Sequence, residues 1–122
     1  MNILVADDLA SNRLALKLYI HNNWSQAVVY EASTMYEVAQ DVFDVQFDLL
    51  ILDVNMPGSE LLEDFVGKAS NYTKIIIFSD LDRDDLRVAN LIRIGADAFL
   101  PKSSELVAII STFQLVFSEG RS

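Results

Sequence analysis

The stretch Leu-Leu-Ile-Leu-Asp-Val-Asn, residues 49–55, decides the fold class of this chain. Its apolar run, residues 49–54, is short, is broken only by Asp53, and shows no regular alternation of apolar and polar side chains. Such a run is typical of a strand that is buried on both faces of a sheet. Asp53 and Asn55 stand where this strand would end.

Runs of the same kind lie on both sides of it, at residues 3–6, 27–30, 75–78 and 98–100. Apolar residues recur at helical spacing in the stretches that alternate with these runs, residues 11–22, 34–43, 59–69, 82–94 and 103–117. Strand and helix therefore alternate five times, which requires parallel strands joined by right-handed helical crossovers. The sequence predicts an α/β, flavodoxin-like fold with one doubly wound, five-stranded parallel sheet, for which 2-1-3-4-5 is a standard strand order.

Glycine and short polar residues predict where the last two helices begin and end. Gly95 is a candidate C-cap for the fourth helix, and Ser103 and Ser104 are N-cap candidates for the fifth. The acidic stretch at residues 80–85 predicts negative charge at the N-terminus of the fourth helix, where the helix dipole favours it. It lacks the glycine and the glutamate that a calcium loop needs.

Length and composition predict a single globular domain spanning residues 1–122. Hydrophobic residues make up 52% of the chain, which is enough for a core of its own. The net charge of −9 argues against direct contact with nucleic acid, and the absence of cysteine excludes disulfides, thiolate metal sites and cysteine nucleophiles. The N-terminus has no signal-peptide pattern and no run is long enough to span a bilayer, so we expect no membrane association and a cytoplasmic location.

Polar residues that can carry chemistry follow four of the five predicted strands: Asp7 and Asp8, Asp53 and Asn55, Ser79, and Lys102. The carboxyl ends of parallel strands share one edge of the sheet, and ligands bind there at the point where the strand order reverses. In the order 2-1-3-4-5 the first and third strands are neighbours. We therefore expect the carboxylates of Asp7, Asp8 and Asp53 to converge.

A set of carboxylate oxygens suits Mg²⁺, whereas zinc is implausible without cysteine and with a single, distant histidine, His21. A bound Mg²⁺ would keep Asp53 ionised, and an ionised aspartate can act as a nucleophile towards a phosphoryl group. Lys102 would supply a positive charge, and Ser79 a hydroxyl, for the phosphoryl oxygens. The sequence thus predicts a metal site that accepts a phosphoryl group.

Four stretches, residues 3–8, 49–58, 75–79 and 95–102, together resemble a known family. Over nearly its whole length the chain resembles the receiver domain of two-component response regulators. The resemblance implies that Asp53 is the phosphoacceptor and takes the phosphoryl group from a sensor histidine kinase or a phosphotransfer protein. It also implies a domain that catalyses only its own phosphoryl transfer and dephosphorylation and is not otherwise an enzyme.

The resemblance also assigns ligands for the metal. Asp8, Asp53 and the backbone carbonyl of Asn55 would ligate Mg²⁺, for which Mn²⁺ is a possible substitute, and Asp7 would act through water. Asp7 and Asp8 on their own would equally suit the start of the first helix, whose N-terminus favours negative charge.

The resemblance further implies a conformational switch. Lys102 and Ser79 would bind the phosphoryl group, and Ser79 would move towards it on activation. Phe99 occupies the aromatic position that changes rotamer with this residue and remodels the face formed by helix four, strand five and helix five. The alternative for Phe99 is a core aromatic that does not switch.

Three features depart from the usual receiver pattern. The loop after Gly58 lacks several residues before helix three, which puts its geometry in question. Asp80 stands where a small residue is usual, and we expect it to face out or to cap helix four. Pro101 precedes Lys102 and Ser103 follows it, where the family often has proline, so the isomer of the peptide bond after Lys102 is left open.

The end of the chain, through Glu119 and Gly120, resembles receivers fused to a helix-turn-helix output domain, with a linker that begins after about residue 118. This resemblance implies control of an output domain or partner, and hence transcriptional regulation. The apolar final helix is either a homodimer face or part of the core. Two rivals are a receiver fold that takes no phosphate and only binds proteins, and a related phosphatase, which Asn55 disfavours because that class needs a second acid there.

Overall fold

The computed structural model describes residues 1–118. The strands are β1 (Asn2–Ala6), β2 (Val28–Ala32), β3 (Leu49–Asp53), β4 (Lys74–Ser79) and β5 (Ala98–Pro101). The helices are α1 (Ala10–Asn23), α2 (Met35–Asp44), α3 (Leu62–Ala69), α4 (Leu86–Ile94) and α5 (Leu106–Ser118), with a 3₁₀ turn, Ser59–Leu61, before α3. The predicted alternation of strand and helix is confirmed. No helix within residues 1–118 is long and apolar enough to cross a membrane.

All four strand pairings are parallel and the strand order is β2-β1-β3-β4-β5, so the predicted topology is also confirmed. The register pairs Ala6 of β1 with Leu52 of β3, which places Asp7 beside Asp53. Further along the same edge, Asp53 pairs with Phe78, and Ser79 with Pro101. The ends of β1, β3, β4 and β5 thus form one continuous edge.

Helices cover both faces of the sheet, and two core clusters result. One cluster lies under α2, α3 and α4, and the other under α1 and α5. Successive residues of β3 enter different clusters: Leu50 and Leu52 join the first, whereas Leu49 and Ile51 join the second. All five residues of β3 are buried. Because β3 is buried on both faces, apolar and polar residues do not alternate in its sequence.

The fourth helix begins later than the sequence predicts. α4 starts at Leu86, and of the acidic stretch at residues 80–85 only Asp85 caps it, accepting a hydrogen bond from the Arg87 N–H at 2.8 Å. The predicted start of the helix at residue 82 is therefore wrong, whereas the predicted negative charge at its N-terminus is confirmed at Asp85. Aspartate side chains bond to nearby backbone groups and favour turns and caps over helix interiors, and the remaining acids lie in the loop before α4.

The fifth helix also begins later than predicted. α5 starts at Leu106, so the prediction that Ser103 and Ser104 cap it is wrong. A turn follows β5 instead, in which the Ser104 N–H donates to the Pro101 carbonyl at 3.0 Å. The predicted stretch through Glu119 and Gly120, and the linker after residue 118, lie outside the described residues.

Gly95 ends α4 as predicted. Its φ of 143° lies in the region that favours glycine, and its N–H donates to the Ile92 carbonyl at 3.2 Å. A Cβ at this position would collide with the side chain of Ser70. Gly67 differs in both respects, because it lies inside α3 and a Cβ there would meet nothing within 4 Å.

These two glycines give a matched pair of substitutions. Gly67→Ala should raise the free energy of unfolding by about 0.5–1 kcal/mol, because alanine is the better helix former and the space is free. Gly95→Ala should lower it by about 1 kcal/mol or more, because the positive φ and the collision both oppose a side chain. Urea denaturation followed by circular dichroism measures both changes, and shifts of the same sign would contradict this account.

Candidate functional site

Three carboxylates meet at the edge of the sheet where β1 and β3 end. Asp7 and Asp8 follow β1, and Asp53 is the last residue of β3. One oxygen from each of the three side chains lies within 4.8 Å of the other two. Asp7 and Asp53 are buried, whereas Asp8 is exposed, so the cluster opens to solvent on the side of Asp8.

Lys102 brings a positive charge into this cluster from the end of β5. Its Nζ lies 2.9 Å from Asp7 Oδ2 and 3.2 Å from Asp53 Oδ1, and its side chain is only 12% exposed. The ammonium also lies 5.7 Å from the ring centroid of Phe78. The Lys102 backbone N–H donates to the Ser79 carbonyl at 2.9 Å, which fixes the start of this side chain beside β4.

Asp7 is bound to the start of α1 as well as to Lys102. Its carboxylate accepts hydrogen bonds from the Leu9 N–H at 2.9 Å and from the Asn12 amide at 3.1 Å. Its backbone carbonyl accepts a hydrogen bond from Arg13 at 2.8 Å. The alternative in which Asp7 and Asp8 cap the first helix is not borne out, because the N-cap of α1 is Leu9 and no side chain within residues 1–118 caps it. The Asp7 carboxylate bonds to residues at the start of α1 and to Lys102 at the same time.

Asp53 is held at its other side by the chain that follows it. The Asn55 N–H donates to Asp53 Oδ1 at 3.2 Å. Burial raises the pKa of the Asp53 carboxyl, and the negative charge of Asp7 adds to this, whereas the Asn55 N–H and Lys102 act in the opposite direction without cancelling it. The ionised form of Asp53, the phosphoacceptor candidate, therefore needs nearby positive charge or hydrogen-bond donors to stabilise it.

The pKa of Lys102 is raised. Burial acts to lower it, but the hydrogen bonds and charges of Asp7 and Asp53 together outweigh that effect. Lys102 is accordingly an ammonium at neutral pH. One ammonium faces three carboxylates at this edge, which leaves an excess of negative charge.

This surplus of negative charge, together with the oxygen ligands and the exposed side of the cluster, fits a divalent cation. Asp7, Asp8 and Asp53 are the residues whose oxygens are close enough to hold it. His21 does not join them, since it lies in the last turn of α1 and its Nε2 contacts the Ala27 carbonyl at 3.0 Å.

Ser79 and Phe99, the two predicted switch residues, are both buried. The Ser79 Oγ accepts a hydrogen bond from the Leu81 N–H at 3.0 Å, and within residues 1–118 no hydrogen bond joins this hydroxyl to Asp53 or Lys102. Phe99 packs in the core cluster under α4, with the Arg83 guanidinium 5.3 Å from its ring centroid. Ser79 thus lies at the predicted edge but bonds to the loop that follows it.

The three departures noted in the sequence are resolved as follows. The loop after Asp53 passes through Gly58, which has a φ of 84°, and enters the 3₁₀ turn directly. This turn leads into α3, so the loop is short because it lacks the residues that the family usually has there. Asp80 is exposed, as expected of a residue facing out, and the cap of α4 is Asp85. The Lys102–Ser103 bond is trans, since the described chain has no cis peptide.

Two arginines that bind loops beside the site are absent from the residues predicted from the sequence. Arg13 joins the Asp7 carbonyl to Glu31 of β2, with its Nε 2.9 Å from Glu31 Oε1. Arg87 of α4 binds Glu63 of α3 at 2.7 Å and also donates to the Ser59 carbonyl in the turn after Gly58. Neither belongs to a motif, and the only signal for Arg13 is its place one turn into the helix that follows Asp7.

The chain resembles known proteins over almost its whole length. The family described as the response regulator receiver domain matches residues 3–114. The oxygen regulatory protein NreC of Staphylococcus epidermidis is 28% identical over 120 residues, which cover 96% of this chain and 55% of that protein. NreC of Staphylococcus carnosus gives the same identity and coverage. The chain spans about half the length of the curated relatives it matches.

Solved structures share the fold over the whole chain. A two-component response regulator from Clostridium difficile superposes with a TM-score of 0.84 at 18% identity, covering 100% of this chain and 99% of that one. The BeF₃⁻-activated N-terminal receiver domain of RstA from Klebsiella pneumoniae gives a TM-score of 0.82 at 17% identity, covering 98% and 100%. Likeness at these identities shows the fold alone. Because the family match covers residues 3–114, however, this chain belongs to the receiver domain family of two-component response regulators.

Proposed function

We propose that the domain is a phosphorylation-dependent switch in which the Asp53 carboxylate accepts a phosphoryl group from a phosphohistidine of a sensor histidine kinase. The observation that carries this proposal is the buried Asp53 carboxylate, whose oxygens lie close to those of Asp7 and Asp8 and 3.2 Å from the Lys102 ammonium. One edge of the sheet thereby supplies the nucleophile, the compensating charge and the metal ligands.

The transfer step uses an Asp53 oxygen as the nucleophile. This oxygen forms a bond to phosphorus while the phosphorus–nitrogen bond of the donor breaks, and the electron pair of that bond stays on the imidazole nitrogen. The Asn55 N–H and Lys102 favour the ionised form of Asp53 against the effect of its burial. Lys102 also lies where it can bind an oxygen of the transferred group.

We assign the metal to Asp8, Asp53 and the backbone carbonyl of Asn55, with Asp7 acting through water. Bound Mg²⁺, or Mn²⁺ as a substitute, would supply positive charge to the oxygens of the phosphoryl group. Asp8 is exposed and free to approach an entering cation. Asp7 is already engaged by Lys102 and by the start of α1, which suits an indirect contact.

The structure also supports a route from this site to the α4–β5–α5 face. For Ser79 to bind the phosphoryl group, its hydroxyl has to give up the hydrogen bond from the Leu81 N–H. Leu81 and Arg83 belong to one loop, and Arg83 lies over the ring of Phe99. We infer that release of Leu81 moves this loop and changes the packing of Phe99.

We propose that the switch controls a helix-turn-helix output domain or a partner protein, and thereby transcription. The relatives named NreC are regulatory proteins by name, and the matched part covers 55% of their length. Homodimerisation through α5 is part of this proposal, and the exposure of Val107 (78%) and Leu115 (56%) supports it.

The first test is phosphorylation by a small donor. Acetyl phosphate with Mg²⁺ should add one phosphoryl group to the wild-type chain, and Asp53→Ala should abolish the adduct because the nucleophile is gone. Intact mass spectrometry measures both. Asp80→Asn, which removes an exposed acid outside the cluster, is the matched control and should keep the adduct. An undiminished adduct in Asp53→Ala would overturn the assignment, and an unmodified wild type would favour an interaction module that takes no phosphate.

The second test is metal binding measured as thermal stability. Mg²⁺ should raise the melting temperature of the wild type, because a ligand present at about 100 times its Kd adds about 2.7 kcal/mol to the folded state. Asp8→Asn should lose most of this gain without harming the fold, since Asp8 is exposed. Asp80→Asn should keep the gain. The ligand set would be wrong if Asp8→Asn responded to Mg²⁺ as strongly as the wild type.

The third test uses pH in the absence of metal. Burial and the charge of Asp7 raise the pKa of Asp53 above 3.8, so the stability contributed by its protonated form is present below pH 3.8 and is lost as the pH rises through the raised value. In EDTA, Asp53→Asn should therefore unfold at a higher temperature than the wild type at neutral pH. Its advantage should shrink as the pH falls towards 3.8, and an advantage that does not vary with pH would contradict the burial argument.

A further inference from the structure

A groove of about 770 Å³ lies between α2 and α3, and none of the described residues at the carboxyl ends of the strands lines it. The side chains of its floor belong to the core and are buried: Met35, Phe47 and Ala69. Three large side chains on its walls are open to solvent, namely Phe43 (87% exposed), Tyr72 (75%) and Leu61 (43%). Contiguous exposed apolar surface of this kind is typical of an interaction site.

We propose that this groove docks a basic amphipathic helix from a protein partner. One wall follows α2 from Met35 to Asp44, and the other runs from Leu61 in the 3₁₀ turn along α3 to Ala69, so the groove follows the length of both helices. The ten residues of α2 correspond to about 15 Å, or nearly three helical turns. A helix of that length presents apolar anchors at positions i, i+3 or i+4, and i+7, which is the pattern that such grooves bind.

The charges around the groove indicate which charge the partner helix should carry. Asp44 of α2 lines the groove, and α2, whose other acids Glu37 and Asp41 lie outside the lining, contains no lysine or arginine. Lys68 lines the groove from α3, but it is paired with Asp64 at 3.0 Å, so its charge is offset. The chain as a whole has a net charge of −9. A partner with lysine or arginine beside its apolar stripe is therefore complementary, whereas the acidic α2 surface of a second copy would be repelled at this groove.

The lining also favours a helix over a small ligand. Pockets for small molecules place a few polar groups among apolar ones to fix the orientation of the ligand. Below the rim, the one polar side chain among the described lining residues that is partly buried is Thr73, whose hydroxyl donates to the Lys74 carbonyl at 3.4 Å. The charged or amide side chains Asp44, Gln46, Asp64 and Lys68 stand exposed at the rim. An amphipathic helix fits this arrangement, because its apolar side chains would contact the floor of the groove and its charged side chains would lie near the rim.

The experiment uses a designed peptide of about 15 residues, long enough to populate a helix. It carries leucine or phenylalanine at i, i+4 and i+7, with lysine at the flanking positions. A scrambled peptide of identical composition and charge, without the apolar stripe, is the control. Titration into the ¹⁵N-labelled chain should shift the amide signals of α2 and α3, and calorimetry should show about tenfold weaker binding of the scrambled peptide.

Variants of the groove walls separate this surface from others. Phe43→Ser and Tyr72→Ser should each weaken peptide binding about tenfold, as expected for aromatic anchors, and the high exposure of both residues protects the fold. Leu86→Ser is the matched control, because Leu86 is 86% exposed but lies on α4. It should leave binding unchanged. Asp53→Ala should also bind the peptide like the wild type, so this inference does not stand or fall with the phosphoacceptor.

Several results would overturn the proposal. Equal binding of the two peptides would mean that net charge alone, and not the apolar stripe, causes the binding. Signal shifts confined to α1, α4 or α5 would mean that the peptide binds elsewhere. The apolar dye 1-anilinonaphthalene-8-sulfonate, bound in the groove and not displaced by the peptide, would indicate a small-ligand site instead. Self-association of the chain that Phe43→Ser abolishes would identify a second copy as the occupant.

Discussion

The contact of the Lys102 ammonium with both Asp7 and Asp53 is the interaction on which the site depends. Two buried carboxylates side by side are costly, because each loses its hydration and each repels the other. Lys102 offsets part of both costs, with its Nζ 2.9 Å from Asp7 and 3.2 Å from Asp53. It does so from the end of β5, and it reaches the carboxylates past the ring of Phe78 at the end of β4. The strand order and the charge balance of the site therefore require each other.

The loops around this contact are fastened to the helices by arginine. Arg13 links the loop after β1 to β2, because it binds both the Asp7 carbonyl and Glu31, and its hydrogen bond lowers the pKa of the Glu31 carboxyl. On the other side of the sheet, Arg87 links α4 to the turn after Gly58 through the Ser59 carbonyl, and to α3 through Glu63. The loop that carries Asp7 and the turn after Gly58 are thus each bonded to a neighbouring helix, which favours preorganised binding of charge.

The sequence predicts the sheet and its functional edge well because both follow from regular spacing. Strands buried on both faces leave short apolar runs, and residues directly after such runs must share an edge, so the neighbourhood of Asp7, Asp8, Asp53 and Lys102 is fixed by topology. The starts of α4 and α5 are predicted less well, since Asp85 competes with three other acids in the stretch before α4 and the turn at Ser104 displaces a plausible cap. These choices depend on small differences between local hydrogen bonds.

Contacts between side chains that are far apart in the sequence cannot be predicted from such spacing. The pairing of Arg87 with Glu63 depends on the relative position of α3 and α4, and the groove depends on the gap between α2 and α3. Neither distance is encoded in the period of a single helix. The sequence alone shows Phe43 and Tyr72 as ordinary apolar residues, and only the packed helices show that both remain outside the core while lining one surface.

The loop after Asp53 connects the carboxylate cluster with the groove between α2 and α3. The Met35 N–H donates to the Pro57 carbonyl at 2.9 Å, and the Tyr36 ring packs against Gly58, so the first turn of α2 rests on this loop. Met35 is also part of the floor of the groove. A shift of the loop would therefore be transmitted to the Met35 and Leu61 end, whereas Phe43 lies near the far end of α2, about 12 Å away. The affinity of a partner anchored mainly on Phe43 and Tyr72 would therefore change little when Asp53 is phosphorylated. A partner anchored on Leu61 would be coupled to Asp53, and the coupling free energy would be the same in both directions.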